Sequence, residues 1–203
     1  MKILDKEGTI SAIVIGVVIV LTGGWNYLFF MLLFLFLGII VTRYENEIKR
    51  EMGLYEHERG AENVLSNGLG PMAFAVLSPW FGPLPFLSSV AAITSDTFGS
   101  EIGVLGKSRP IFLGNLKPTK PGTSGAVSAI GTVASAVGAM LIGASSIFVF
   151  GIQPNKAFLI GLAGLCGSFI DTLFGVFEER GIGTKGTTNF ICSIAGGVLG
   201  ILI

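Results

Sequence analysis

Ser95-Asp96-Thr97-Phe98-Gly99-Ser100-Glu101 stands at the end of a long apolar run and restricts how the chain can fold. A carboxylate inside a membrane is costly, so it persists only where it has a partner or a task. A second apolar run ends in the same way, at Gly167-Ser168-Phe169-Ile170-Asp171-Thr172. Each acidic helix end precedes a basic, glycine-rich loop. The pair therefore predicts a site for a divalent metal and phosphate at a membrane surface.

The composition is typical of an integral membrane protein. Of 203 residues, 51% are hydrophobic and 13% are charged, and the mean hydropathy is +0.76. Soluble domains carry about 25% charged residues. Because the net charge is zero, no bulk attraction to nucleic acid is expected. Seven apolar stretches can be read as membrane spans, and they cover residues 9–22, 26–42, 64–81, 84–105, 124–150, 155–177 and 188–203.

The basic residues fall on alternate connections between these spans. Lys and Arg occur at the N-terminus and in the loops 43–62, 106–122 and 178–187. None occurs in the connections near 22–25, 81–83 and 150–154. Since basic loops stay on the cytoplasmic side, the N-terminus is expected in the cytoplasm and the C-terminus outside. All the candidate chemistry then lies on the cytoplasmic side of the membrane.

The predicted fold class is an all-α membrane protein with about seven transmembrane helices in one bundle. A single transmembrane domain covers residues 1–203, with a cytoplasmic interfacial helix at 44–62 and a cytoplasmic basic loop at 106–122. In the interfacial helix, Glu45 and Lys49 are four residues apart, which predicts a pair on its surface. The oligomeric state is left open, and a homodimer is one expectation.

Three carboxylates are candidate metal ligands. Asp96 and Ser100 are four residues apart and share a helix face, and Glu101 lies on a neighbouring face. Mg²⁺ usually takes one or two carboxylates together with substrate phosphates, so Asp96, Glu101 and Asp171 are predicted to hold it. The alternative is that Asp96 pairs with Lys or Arg and fixes helix packing. Glu178 and Glu179, which follow Asp171, are interpreted as a solvated surface.

The stretch Pro121-Gly122-Thr123-Ser124-Gly125 opens the fifth span and is a candidate anion site. Glycines and hydroxyls at a helix N-terminus present N–H groups to a phosphate. The Gly-Lys-Ser/Thr ending of a Walker A loop is missing, and Gly-Thr-Ser-Gly is also ordinary loop chemistry. The cations that precede it could hold phosphates or only set the topology; they are Lys107, Arg109, Lys117 and Lys120.

A polar stripe enters the third span. Arg59, Asn63 and Asn67 are each four residues apart, so they line one helix face. The stripe could bind a phosphate or a nucleotide base, or the asparagines could serve only to hold helices together. Asn189, which opens the last span, has the same two interpretations. His57 lies among solvated charges, and Cys166 and Cys192 are interpreted as small hydrophobic residues.

Four motifs in this order resemble one integral-membrane family, which contains the chloroplast phytyl-phosphate kinase of tocopherol salvage and the animal transmembrane protein 19. The resemblance runs from about residue 59 to the C-terminus. The basic loop departs from it in reading Lys107-Ser108-Arg109-Pro110. The motifs are Arg59-x3-Asn63-Val64-x2-Asn67-Gly68, Ser95-Asp96-Thr97-x2-Ser100-Glu101-Ile102-Gly103, Gly122-Thr123-x-Gly125-x-Val127-Ser128-x2-Gly131-x2-Ala134-Ser135 and Gly167-Ser168-x2-Asp171-x3-Gly175.

The resemblance implies a kinase that transfers the γ-phosphate of CTP to an isoprenyl monophosphate, such as phytyl or geranylgeranyl phosphate. Asp96, Glu101, Lys107 and Arg109 would then be catalytic, with Mg²⁺ as cofactor. The nucleotide and substrate would contact Arg59, Asn63, Asn67, Thr97, Ser100, Lys120, Gly122, Thr123, Ser124, Gly125, Ser128 and Asn189. A CTP-dependent lipid cytidylyltransferase and a membrane transporter of small anions or lipids are the alternatives.

Overall fold

The computed structural model describes residues 4–54 and 60–203, and this part of the chain is predominantly helical, as predicted. Nine helices occur in it: α1 Lys6–Gly23, α2 Trp25–Arg43, α3 Asn46–Glu51, α4 Ala61–Val76, α5 Ser78–Phe81, α6 Leu84–Gly103, α7 Ala129–Phe150, α8 Pro154–Glu178 and α9 Lys185–Ile201. The seven long ones overlap the seven apolar stretches of the sequence, but α7 begins only at Ala129, so residues 124–128 of the predicted fifth span lie before the helix.

Four of the described helices, α1, α2, α7 and α8, are long and apolar enough to cross a membrane. Their outer faces are apolar, with exposed side chains such as Val14, Phe36, Val133 and Phe158. Because α4 and α9 are shorter and α6 carries many polar residues, composition alone does not assign them as spans. Seven spans and the orientation of the termini therefore stay predictions.

Local sequence signals define several helix ends. Asp5 caps α1 by accepting a hydrogen bond of 2.6 Å from the Gly8 N–H. Ser128 and Thr184 cap α7 and α9 in the same way, which satisfies N–H groups that have no partner within the helix. Gly151 ends α7 with a φ of 66°, a left-handed conformation that glycine adopts without steric cost.

The centre of the bundle is α6. It packs against α2, α4, α7, α8 and α9, and its side chains from Pro85 to Asp96 are all buried. Phe86 and Leu87 join residues such as Phe30 and Phe74 in the main hydrophobic core. A helix that is surrounded by other helices needs no lipid-facing stripe, so α6 can carry polar side chains wherever neighbouring helices contact them.

The basic loop contains a small β-sheet, which corrects the all-α prediction. Strand β1, Ile111–Phe112, pairs antiparallel with β2, Lys117–Pro118, and with β3, Ala126–Val127. The strand order is β2-β1-β3. Each strand has only two residues, too few for a periodic pattern to reveal them in the sequence. The sheet gives the segment between α6 and α7 a defined shape.

The segment after α2 also differs from expectation. Its described helix, α3, covers only Asn46–Glu51 rather than 44–62, and Tyr55–Arg59 lie outside the described residues. The Lys49 side chain is 1% exposed and does not form the surface pair with Glu45. It reaches instead 2.7 Å to Glu101 Oε2 on α6, because a buried ammonium needs a carboxylate partner.

Candidate active site

A cavity of about 400 Å³ lies at one end of the bundle, where α6 and α8 end and α4, α7 and α9 begin. This volume falls in the range of small-molecule sites. Most of the residues singled out in the sequence line it: Asn63, Asn67, Asp96, Thr97, Ser100, Glu101, Gly122, Thr123, Ser124, Gly125, Ser128, Asp171 and Asn189. The alternating direction of the helices brings these distant segments to the same end.

The structure brings Asp96 of α6 and Asp171 of α8 together at a shared cation. Lys185, the first residue of α9, places its Nζ 3.2 Å from Asp171 Oδ2 and 3.8 Å from Asp96 Oδ2. The two carboxylate side chains are 6% and 11% exposed, whereas Lys185 is 45% exposed. Sequence reasoning assigned Lys185 only to a topology-setting loop. The sequence does contain a signal for this role: Lys185 begins the last span, and the predicted topology places that end beside the acidic ends of two other spans.

Two buried oxygen atoms of residues that line the cavity have no hydrogen-bond partner among the described residues. They are Asp171 Oδ1 and Asn189 Oδ1, and both residues are nearly inaccessible. A buried acceptor without a donor is costly, so these oxygens are suited to a ligand that supplies positive charge. Carboxylate and amide oxygens are the hard ligands that Mg²⁺ and Ca²⁺ prefer, so the residues present fit a divalent metal.

Within residues 4–54 and 60–203, no group of three or more His, Cys, Asp or Glu side chains could hold a metal ion. A divalent cation bound here would therefore rest on two carboxylates and take its remaining ligands from water and substrate. Mg²⁺ is commonly held in this way beside phosphates.

Glu101 has partners that the sequence did not predict. Its Oε1 accepts a hydrogen bond of 2.8 Å from Thr42 Oγ1, and its Oε2 pairs with Lys49. The Lys49 ammonium also donates 2.8 Å to the Val41 carbonyl at the end of α2. Glu101 lines the cavity, but with both oxygens engaged it connects α2, α3 and α6 rather than standing free as a ligand.

Glu178 was interpreted as solvated, yet it lines the cavity at the end of α8. Its Oε1 accepts a hydrogen bond of 2.9 Å from Ser124, and its Oε2 accepts one of 3.4 Å from Thr188 of α9. Glu178, the last residue of α8, thus connects the glycine-rich loop to α9. The signal available in the sequence was its spacing of seven residues from Asp171, which places both on one helix face.

The glycine-rich loop packs directly on α8. A Cβ at Gly175 would lie 2.5 Å from Gly125 N, and one at Gly125 would lie 2.6 Å from Val176 N. Only glycines permit backbones to approach this closely. Gly125 also has a φ of 75°, which L side chains rarely adopt. Glycine is therefore required on both sides of this contact, which holds the loop against the cavity.

Two of the three residues of the predicted polar stripe, Asn63 and Asn67, lie in the described part of the chain, on α4. Asn63 and Asn67 both line the cavity, and Asn67 Nδ2 donates 2.9 Å to the Asn63 carbonyl. This bond stays within the helix, so the Asn67 side-chain oxygen is not engaged by it. Arg59, the third member of the stripe, lies outside the described residues.

The predicted phosphate-binding cations do not line the cavity. Lys107, Arg109 and Lys120 are exposed on the segment around the small sheet. Among the described lining residues, Lys185 is the one basic side chain. It pairs with Asp96 and Asp171, and Glu178 is a third carboxylate in the same lining. With Glu101 neutralised by Lys49, the cavity keeps an excess of negative charge.

The comparisons with known proteins are consistent with this architecture. "Uncharacterized membrane protein MJ0933" of Methanocaldococcus jannaschii is 38% identical over 207 residues, covering 100% of this chain and 86% of its own. "Uncharacterized membrane protein sll0875" of Synechocystis is 34% identical over 144 residues, covering 66% of this chain and 55% of its own. "Protein PGR" of Arabidopsis thaliana is 27% identical over 207 residues, covering 86% and 71%.

No solved structure matches the chain. The family model described as "Integral membrane protein DUF92" matches residues 1–196, which is nearly the whole sequence. Together with the match to Protein PGR, this confirms the resemblance recognised in the sequence. The chain therefore belongs to this family of integral membrane proteins.

Proposed function

We propose that this protein is an Mg²⁺-dependent membrane kinase that transfers the γ-phosphate of CTP to an isoprenyl monophosphate and forms the diphosphate. The main support for the proposal is the excess of carboxylates over ammonium groups in the described lining of the cavity. Besides Glu101, the described lining holds three carboxylates and one ammonium, that of Lys185. Among the described residues, Asp171 Oδ1 and Asn189 Oδ1 have no hydrogen-bond donor. A polyphosphate would be repelled by this surface unless it brought a divalent cation with it.

Asp96 and Asp171 would hold the metal, with Asn189 adjacent to it. When bound, Mg²⁺ would neutralise charge on the phosphates of the nucleotide. Asp96 and Asp171 come from different helices and are both nearly buried, so their geometry is fixed by helix packing before any ligand binds. Glu101 is not included among the ligands, because Lys49 and Thr42 already occupy it.

The transfer itself needs few groups from the protein. An oxygen of the lipid phosphate attacks the γ-phosphorus of CTP, the bond from that phosphorus to the β–γ bridging oxygen breaks, and CDP leaves with the electron pair. The acceptor phosphate is already an anion near neutral pH, so a strong general base is not required. Phosphoryl transfer depends mainly on positioning and on charge neutralisation, and Lys185 would stabilise charge on the transferred group.

The loop from Gly122 to Gly125 would hold the remaining phosphates through its N–H groups. Its contact with α8 at Gly175 fixes the distance between the loop and Asp171. Thr97 and Ser100 of α6 and Ser128 at the start of α7 add hydroxyls to the same cavity. Such a ring of short polar side chains suits a ligand with many oxygens.

One assay separates the candidate reactions. The purified protein is incubated in lipid nanodiscs with Mg²⁺, geranylgeranyl phosphate and CTP labelled at either the α- or the γ-phosphate. A kinase moves the γ-label to the lipid and releases CDP. A cytidylyltransferase moves the α-label to the lipid and releases pyrophosphate. If neither label reaches the lipid while the parent protein remains folded and binds CTP, the proposed reaction is wrong and the transporter alternative gains support.

A further inference from the structure

The cavity has a side that borders the lipid, between α7 and α8. Thr132 and Ser135 line it from α7, and Leu165 and Phe169 line it from α8. The polar groups of Asp96, Asp171 and Asn189 belong to the same cavity. The cavity thus has a charged end and an apolar wall, which is formed by Leu165 and Phe169. An amphiphilic ligand requires this combination of a charged and an apolar surface.

The separation of α7 and α8 follows from which helices they contact. At the end away from the cavity they touch closely: Gly143 meets the carbonyl of Ala157, and a Cβ at Gly161 would lie 2.5 Å from Met140 Sδ. The short connection between them, 151–153, keeps this end closed.

Toward the cavity, the two helices follow different neighbours. A Cβ at Gly131 of α7 would lie 3.1 Å from the Gly99 carbonyl of α6. A Cβ at Gly167 of α8 would lie 3.0 Å from the Cys192 carbonyl of α9. At this end α7 packs on α6, whereas α8 packs on α6, on α9 and on the glycine-rich loop. The cavity is lined by both α7 and α8 here, and the space between the two helices is called the wedge.

The outer edges of this wedge face lipid rather than water. Phe169 lines the cavity and is also 51% exposed. Its exposed neighbours on the two helices are apolar, namely Ile130, Val133 and Val137 on α7 and Leu173, Phe174 and Phe177 on α8. An apolar exposed surface of this extent on helices that can span a membrane is covered by acyl chains.

We infer that the gap between α7 and α8, bounded by Thr132 and Phe169, is the lateral entrance through which the hydrocarbon chain of a lipid phosphate extends from the cavity into the bilayer. This inference rests on the proposed function and specifies how its lipid substrate is bound. The phosphate lies beside Lys185 and the two aspartates, and the chain passes over Leu165 and Phe169. The phosphate therefore reaches the cavity while the hydrocarbon chain stays in the bilayer and out of water.

Photo-crosslinking tests the entrance directly. p-Benzoylphenylalanine replaces Phe169 in one protein and Phe174 in a matched control, since Phe174 is exposed on the same helix but does not line the cavity. Radiolabelled geranylgeranyl phosphate in nanodiscs is the probe. We expect position 169 to capture the probe and unlabelled geranylgeranyl phosphate to abolish the capture. Equal capture at both positions, or capture that the competitor does not reduce, would overturn the inference.

Chain-length selectivity gives an independent measurement. Thr132→Trp obstructs the entrance, whereas Val133→Trp adds the same side chain one residue away, where it faces lipid and does not line the cavity. We expect Thr132→Trp to lower the ratio of kcat/KM for geranylgeranyl phosphate over that for a short, water-soluble prenyl phosphate by about tenfold, because overpacking of a filled groove carries a cost of this size. Val133→Trp should keep the parental ratio.

The two proposals fail in different ways. If the parent protein forms no diphosphate from any prenyl phosphate, the proposed function is wrong, and the crosslinking experiment still decides whether a lipid phosphate occupies the entrance. If diphosphate forms but Thr132→Trp keeps the parental selectivity, the reaction stands and the entrance between α7 and α8 is refuted.

Discussion

The carboxylates of Asp96 and Asp171 converge on one ammonium group although they stand on different helices. Lys185 Nζ lies 3.8 Å from the first and 3.2 Å from the second. Two carboxylates so close to one cation repel each other once that cation is removed. The fold therefore requires a positive charge between Asp96 and Asp171.

Asp96→Asn should abolish most of the phosphoryl transfer. The substitution keeps the shape of the side chain but removes a charge that acts on the transferring phosphates, and we expect kcat/KM to fall by at least about a hundredfold. Diphosphate formation from CTP and geranylgeranyl phosphate measures it. Glu179→Gln, which changes an exposed acid outside the cavity, is the matched control. Activity of Asp96→Asn at the parental level would exclude the proposed metal site.

Lys185→Met should make thermal stability depend strongly on Mg²⁺. Without its ammonium, Asp96 and Asp171 repel each other, so the melting temperature falls in EDTA. A divalent cation can replace the missing charge, and at a hundred times its Kd it would contribute about 2.7 kcal/mol. The measurement is Tm in detergent with EDTA and with Mg²⁺.

For this variant, Lys156→Met is the control, because Lys156 lies at the far end of α8 and does not line the cavity. We expect the Mg²⁺-induced rise in Tm to be larger in Lys185→Met than in the parent or in Lys156→Met. The absence of any Mg²⁺-induced rise in Lys185→Met would mean that no cation binds between the two aspartates. Equal rises in all three proteins would mean that Lys185 does not compete with the cation for them.

Lys49→Met should destabilise the protein more than Glu101→Gln does. Lys49 is 1% exposed, and its loss leaves Glu101 with no ammonium partner in a largely buried position. Breaking such a pair costs about 3 to 5 kcal/mol. Glu101→Gln costs less, because Lys49 keeps its bonds to the Val41 and Thr42 carbonyls. Unfolding in mixed micelles gives both values.

The double variant Lys49→Met/Glu101→Gln completes this cycle. We expect it to be more stable than the sum of the two single changes predicts, since neither charge is then left alone. Strict additivity would show that the ion pair contributes nothing to the stability of the bundle.

Gly175→Ala should weaken nucleotide binding by displacing the glycine-rich loop. The added methyl would lie 2.5 Å from Gly125 N, and relieving such an overlap costs about 1 to 3 kcal/mol. We expect a lower Tm and a higher KM for CTP. Gly16→Ala is the control, because its methyl would meet only Leu28 Cδ1 at an ordinary 3.5 Å. If Gly175→Ala keeps the parental KM for CTP, the glycine-rich loop does not take part in nucleotide binding.

Neutralising the exposed cations should have a smaller, salt-dependent effect. Lys107→Gln, Arg109→Gln and Lys120→Gln remove charges that lie outside the cavity lining. Exposed charges act through a screened field, so we expect each change to alter KM for CTP by less than about tenfold at low salt. The effect should vanish at high salt. A salt-independent loss of kcat in the Lys107 or Arg109 variant would support the catalytic role predicted for that residue, and a salt-independent rise in KM in the Lys120 variant would support its predicted contact with the nucleotide or substrate.

The sequence alone determined the family and the helical class, and most of the site residues that it singled out line the cavity. This was possible because the helix is a local structure and because charges are rare enough in apolar runs for Asp96 and Asp171 to be noticeable. The alternating direction of the seven long helices also follows from the basic loops, and it brings the ends of α6 and α8 to the same end of the bundle.

Only the tertiary structure decided which charges are partners. The sequence predicts a pair between Glu45 and Lys49, whereas in the structure Lys49 pairs with Glu101. The sequence places Lys185 in a loop without a partner, whereas in the structure it lies between Asp96 and Asp171. The tertiary structure also decided that Glu178 belongs to the cavity and that both α7 and α8 line it. The physical reason is that a buried charge takes its partner from whichever helix lies within a few ångströms, and spacing along one chain does not specify that helix.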